Sequence, residues 1–423
     1  MSAIRSDCRH YRTSHPCAPH KSAMARCDDC REYDQIEERV LIVKLDAMGD
    51  VLRTTAVLPA LKEKYPRAHV TWITRENAFG LLNGNRWIDR VLVAERNYLE
   101  FLLTEEFDVV IGVDADPLSA SITTLARSQK KFGFVSNGRG GVRPLSASAE
   151  SWWRLGLDDA LKRANRATYG EWIYAICDLH PPVRRPQFEV HIDARSRVDE
   201  YLRRSAPPGT RFVLFNTGGS DRWREKRWKA DHYSAMAGLV EQAHPGTAIV
   251  LVGGPAETEL NRRLKLDHPA FIDGGTDNTL QSFGALVAAC DWVLTPDSLG
   301  YHLACAVGTP AVCMVGPTSP WELDLYECNF VLYAAMDCIG CYLSQCPLTS
   351  TCMDKLTPAR ILHFIQQWQA RTDAAPAAIV ADWEGFNVRS PVAPPPPNRE
   401  RRATQALVVS RPHLPSTSAL DNV

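Results

Sequence analysis

The sequence predicts an α/β protein built from two doubly wound domains. Three observations predict it. Short apolar runs of strand length alternate with helix-period stretches from residue 40 to about residue 195. The same alternation restarts at residue 211. Several of the runs end in Gly, Ser, Thr and Asp clusters, the turn chemistry found where parallel strands meet a ligand. A chain of 423 residues is also too long for one average domain.

Composition narrows the function. Lys and Arg nearly balance Asp and Glu, to a net charge of −1, so no global field recruits nucleic acid or an anionic membrane. No apolar run approaches bilayer length, and charged residues interrupt the N-terminus where a signal peptide would need an apolar core. The expected location is cytoplasmic. Thirteen cysteines in a reducing compartment point to metal or plain burial rather than disulfides.

Residues 1–38 are polar and hold Cys8, Cys17, His20, Cys27 and Cys30. Cys17-x2-His20 and Cys27-x2-Cys30 have the paired spacing of a zinc knuckle, with Cys8 able to replace His20. A metal would order a segment that has almost no core. The other reading is a loose tail with free thiols.

Residues 40–45 read as a strand, residues 46–50 as a loop, and the apolar stripe from Val51 to Tyr65 as a helix that Pro66 ends. This is a Rossmann-type opening without the dinucleotide fingerprint: one glycine instead of three, and carboxylates at Asp46 and Asp50. A negative loop repels phosphate and suits a general base. Asp50 is otherwise a first-turn carboxylate favoured by the helix dipole. Further strands are expected at residues 70–73, 91–93, 109–113 and 131–134. Asp114 and Asp116 follow one of them, to touch a ligand or to cap the next helix. Trp152, Trp153 and Arg154 offer a sugar-binding surface or a packed helix.

In the second series, residues 211–215 are a strand, followed by Thr217, Gly218, Gly219, Ser220 and the cations Arg222, Arg224, Lys226 and Arg227. Small hydroxyls, glycines and cations after a strand suit a diphosphate. The next strand, residues 248–252, ends near Glu257, which is either a ribose acceptor or a first-turn carboxylate. A short strand at 271–273 and a helix at 280–289 precede a strand at 292–294. Asp297 and Ser298 then read as N-cap residues of a helix that Gly308 stops, before a strand at 311–316. That helix N-terminus lies at a sheet edge, where anions are favoured. Cys338-x2-Cys341, Cys346 and Cys352 fall within fifteen residues, a density that suits a structural metal. Residues 358–371 read as a helix, and everything after residue 374 as a disordered Pro-rich tail.

Taken together, residues 40–59, 217–228 and 297–320 resemble the lipopolysaccharide heptosyltransferases of glycosyltransferase family 9, in order along about residues 39–370. The resemblance implies a GT-B fold, two Rossmann-like domains facing across a cleft, with domains at 39–205 (acceptor) and 206–373 (donor). It implies inverting, metal-independent transfer of heptose from ADP-heptose to a lipid-linked or other glycan, with a peripheral contact at the cytoplasmic face of the inner membrane. Asp50 matches the family's general base and Lys226 its diphosphate lysine. Asp297, Ser298 and Leu299 match the donor-binding helix start, with His302 at the family spacing. Thr217, Ser220 and Glu257 take phosphate and ribose contacts, and the Cys338–Cys352 run recurs in relatives. No cofactor is expected for transfer, only structural zinc or iron–sulfur at the cysteine clusters. Where the family commonly has Thr-Gly after the donor aspartate, this chain has Ser298-Leu299-Gly300, with the glycine one place later, and the N-terminal segment and the tail after residue 374 lie outside the usual family core. Two alternatives remain: a GT-B enzyme using another nucleotide sugar and glycan, and a non-catalytic, metal-stabilised nucleotide-sugar binding module.

Overall fold

A computed structural model describes residues 4–96, 98–219, 221–326, 329–370 and 386–390. The first sheet holds β1 (Arg39–Val43), β2 (His69–Thr74), β3 (Arg90–Val93), β4 (Val109–Gly112), β5 (Lys130–Ser136) and β6 (Val142–Pro144). Its order is β3-β2-β1-β4-β5-β6, parallel except for the β5–β6 pair. Val40, Leu41, Ile42 and Val43 are all fully buried. An unbroken apolar run on a central parallel strand is what helices covering both faces require.

The second sheet holds β7 (Arg211–Asn216), β8 (Thr247–Val252), β9 (Ile272–Asp273), β10 (Trp292–Pro296), β11 (Ala311–Val315), β12 (Asn329–Ala334) and β13 (Phe386–Arg389). Its order, β9-β8-β7-β10-β11-β12-β13, repeats that of the first sheet and adds an antiparallel edge strand. Each sheet reverses its winding once, between β1 and β4 and between β7 and β10. Crevices for ligands open at such points, beyond the strands' C-terminal ends.

Three expectations change. The stripe from Val51 to Tyr65 forms two helices, Met48–Thr54 and Val57–Lys64, rather than one. The helix Ile192–Ser205 lies within the residues assigned to the first domain, but it buries Ala194, Val198 and Leu202 and packs on the helix Leu280–Ala289 of the second. Gln187 and Glu189, just before this helix, still bond to Thr55, Asn85 and Arg86 of the first lobe. In the expected tail, Phe386 and Val388 are buried where β13 pairs with β12. Four alternating residues are too short a period to signal a strand, yet they cover an otherwise open sheet edge. The rest of that tail, including residues 394–397 and 399–402, lies outside the described residues.

Candidate functional site

The loop after β1 leads into the Met48–Thr54 helix, with Asp50 in its first turn. The Asp50 side chain is 40% exposed, while Arg53, one turn later, is 9% exposed with Nη1 3.4 Å from Asp50 Oδ1. The Arg53 guanidinium also lies 3.6 Å from Asp324 Oδ2 of the second lobe and donates to the carbonyl of Glu322. It stacks over the Tyr169 ring at 4.1 Å. Asp324 in turn accepts from the Gly170 amide at 3.1 Å. One buried cation thus joins the two lobes beneath an exposed carboxylate.

Lys44, at the end of β1, is buried and paired with Asp114 and the carbonyl of Asp46. Burial opposes its charge, but the Asp114 carboxylate more than offsets this and keeps its pKa above the ordinary amine value. Asp114 also accepts from the Leu45 amide at 2.7 Å, so it holds this loop rather than facing a ligand. Asp116 caps the following helix through the Leu118 and Ser119 amides. Trp152 packs edge-on against Tyr169 with centroids 5.6 Å apart, and Arg154 pairs with Glu150, so these residues build the helix Ala147–Leu157 and its packing.

In the second lobe, Lys226 Nζ lies 2.6 Å from Asp297 Oδ2, and Thr318 Oγ1 donates to the same oxygen at 2.9 Å. Burial alone would raise the Asp297 pKa. Lys226, His302 and Thr318 instead hold it well below the carboxylate range. Asp297 is therefore a buried ion-pair partner and not the N-cap. Ser298 occupies the N-cap position of the helix Leu299–Val307, but its side chain makes no cap bond. Its hydroxyl accepts from Asn216 Nδ2 at 2.9 Å instead. No side chain caps this helix start, where Leu299 is half-buried. Gly308 ends the helix with φ 77°, as expected.

Two expected donor contacts look different in place. The Thr217 hydroxyl is fully buried and donates to Asn261 Oδ1 at 2.6 Å, so it is not presented to a phosphate. The physical reason is register: the Thr217 amide bonds the Val252 carbonyl, continuing the β7–β8 ladder and turning the side chain inward. Glu257 is 3% exposed, accepts from the Gly254 amide at 3.0 Å and pairs with Arg227 at 2.9 Å. Ser220 lies outside the described residues.

The two lobes meet at His302. The helix carrying it packs against the Met48–Thr54 helix, and a Cβ on Gly49 would come within 3.0 Å of His302 Cδ2. A side chain there would press on the imidazole unless the ring gave way by a few tenths of an ångström. Burial first, and then the charge of Arg53, push the His302 pKa down to about 3, against the fields of Asp297 and Asp50; Lys226 acts on it as well. Groups from the loops after β1, β7 and β10 therefore surround one neutral imidazole. Sequence reasoning missed Lys44 and Arg53. A lone basic residue ending an apolar strand, and an arginine on the buried side of a helix, were the available signals.

Cys338 is exposed, while Cys341, Cys346 and Cys352 are half-buried. Burial, with Cys341, Cys346 and Cys338 close by, pushes the Cys352 thiol up to about 12. Among the described residues, no three His, Cys, Asp or Glu side chains are placed to hold a metal ion. Nor does any described helix have the length and apolarity to cross a membrane.

The description of glycosyltransferase family 9 (heptosyltransferase) matches residues 97–349. The chain is similar to the lipopolysaccharide core heptosyltransferase OpsX of Haemophilus influenzae, 25% identical over 311 residues, covering 70% of this chain and 84% of that protein. It is similar to lipopolysaccharide heptosyltransferase 1 of Escherichia coli K12, 23% identical over 322 residues, covering 69% and 92%. The solved structure of E. coli ADP-heptose lps heptosyltransferase II superposes with a TM-score of 0.60 at 19% identity, over 78% of this chain and 98% of that one. The shared fold is GT-B, two Rossmann-like lobes across a cleft. With its family matched over more than half its length, the chain belongs to glycosyltransferase family 9, the heptosyltransferases, and is a transferase.

Proposed function

We propose that this transferase moves heptose from ADP-heptose to a lipopolysaccharide-core-like acceptor, inverting the anomeric carbon. The observation that supports this reading is the packing of the His302 helix, which follows the Lys226–Asp297 pair, against the Met48–Thr54 helix that carries Asp50 and Arg53. That packing supports an anionic group for the incoming alcohol facing a cationic group for the departing diphosphate.

In this reading, Asp50 takes the proton of the acceptor hydroxyl as that oxygen bonds to the anomeric carbon. The bond from that carbon to the diphosphate oxygen breaks, and ADP leaves with the electron pair. Lys226 and the uncapped start of the Leu299–Val307 helix, at Ser298 and Leu299, stabilise the developing charge. Asp297 orients Lys226 and is not itself a ligand. Neutral His302 adds a hydrogen-bonding group without competing for the proton at neutral pH. Glu257 would accept from the ribose once Arg227 releases it. A lipid-linked acceptor brings the enzyme to the cytoplasmic face of the inner membrane. Exposed Leu157 and Leu161 beside Arg154, Lys162 and Arg163 support such a contact. The sequence spacing of Cys338, Cys341, Cys346 and Cys352, four within fifteen residues, supports a structural metal there.

The test is a binding and transfer screen with ADP-heptose, other nucleotide heptoses and hexoses, and heptose-free core glycan. Tightest binding to adenine nucleotides, with transfer only from the ADP-heptose, is expected. A preference for uridine or guanosine diphosphates would overturn the donor assignment.

A further inference from the structure

The N-terminal segment contains a site that the transferase reading does not use. Cys8, Cys17, Cys27 and Cys30 all line one cavity of about 330 Å³. All four are free thiols and half-buried: Cys8 sits in a bridge to Gln35, Cys17 at the start of the Ala18–Ala23 helix, and Cys27 and Cys30 at the two ends of one turn. That segment has little else to fold it. Across residues 4–35, Pro19 is the single buried residue, and the only helix is the six-residue Ala18–Ala23. Converging cysteines in a segment without a core mark a covalent or metal-held cross-link, and these form no disulfide.

Four thiolates on one zinc ion stand about 3.8 Å apart, given a Zn–S bond near 2.3 Å in tetrahedral geometry. Among the described residues, no three ligating side chains are placed for a single ion. The four cysteines instead share the lining of one cavity. That is the arrangement for a cluster in which each thiolate binds its own iron and the sulfurs stand further apart. The surroundings suit its negative charge: Arg5, Arg12 and Arg26 line the same cavity. His20, the earlier alternative to Cys8, donates Nδ1 to the Ala25 carbonyl at 3.0 Å and holds the loop before Cys27.

Position separates this site from transfer. Arg9, next to Cys8, pairs with Asp89 and donates to the Ala68 carbonyl, immediately before β3 and β2. The segment docks at the N-terminal ends of the strands. Asp50 and His302 lie beyond the C-terminal ends. We propose that Cys8, Cys17, Cys27 and Cys30 bind a [4Fe–4S] cluster that orders the N-terminal segment, on the side of the first sheet opposite the transfer cleft.

The experiment purifies the full chain anaerobically, treats it with iron(II) and sulfide, and measures iron, acid-labile sulfide, zinc, visible absorption and the reduced-state paramagnetic spectrum. About four irons and four sulfides per chain are expected at this site. The Cys17→Ser and Cys27→Ser variants should each lose them while still binding ADP, which shows the lobes remain folded. The triple variant Cys338→Ser/Cys341→Ser/Cys346→Ser should retain them. Protease cleavage within residues 4–35 should slow on reconstitution. Stoichiometric zinc in place of iron, no metal after reconstitution, or a cluster signal that survives both N-terminal variants would overturn the proposal.

Discussion

Replacing Arg53 with Met tests whether one buried cation both joins the lobes and positions the acceptor-side carboxylate. The guanidinium has two acidic neighbours in different surroundings. Asp50 is 40% exposed and 3.4 Å away, so that pair is worth at most about 1 kcal/mol. Asp324 is 9% exposed and 3.6 Å away, with Arg53 equally buried. Removing one partner of such a pair leaves an uncompensated charge and costs about 3–5 kcal/mol. The Asp324 link should therefore dominate, and the stability loss in denaturant should fall in that range. Adding Asp324→Asn should recover most of it, because the amide removes the orphaned charge and still accepts from the Gly170 amide. Activity should split. With Asp50 no longer held, kcat should fall by up to about fivefold, the ~1 kcal/mol of that pair at about 1.4 kcal/mol per factor of ten. KM for the donor should hold, since the lysine side is untouched. A stability loss under about 1 kcal/mol, or no recovery in the double variant, would refute the reasoning.

Acid should destabilise the fold through His302. Its unfolded-state pKa is near 6.5 and its folded value about 3, so between these the unfolded chain holds the extra proton. Stability is then full above pH 6.5 and falls towards pH 3, by up to about 4–5 kcal/mol. His69, lowered to about 4 by burial, and the depressed Asp297 act in the same direction. Melting curves from pH 7.5 to 4.5 should show a steeper slope for the parent than for His302→Asn; equal slopes would exclude His302 as the source. Lys226→Ala should weaken ADP binding by about 10- to 100-fold, the worth of a charge-assisted hydrogen bond. Lys226→Ala/Asp297→Asn should regain stability but not affinity, and calorimetric ADP titration decides. Gly49→Ala should cost about 1–3 kcal/mol, because the new methyl presses on the His302 ring. Unchanged melting would mean the two helices give way freely.

Much of this was legible in the residues. Strong local signals survived: the central strands of both sheets, the αL stop at Gly308 and the cap at Asp116 appear where patterning put them. Strand β12, with its Phe330–Tyr333 core, was not anticipated, because a short apolar run without flanking turn signals is ambiguous. Residue type located the site but not side-chain commitment. Thr217 has the chemistry of a phosphate ligand, and its place on the β8 ladder turns it inward. Asp297 has the chemistry of an N-cap, and Lys226, seventy-one positions away, claims its carboxylate. Arg53 looked like an ordinary helix arginine, since its partner Asp324 belongs to the other lobe. Partnerships between distant loops leave no trace in local pattern.

The central claim is that Asp50 deprotonates the acceptor across from the cation that holds the departing diphosphate. Single-turnover transfer by Asp50→Asn, at saturating ADP-heptose and core acceptor, tests it most directly. The account predicts a rate lower by about 10²- to 10⁴-fold, the usual worth of a general base, with ADP affinity equal to that of the parent. Transfer at the parental rate would contradict it.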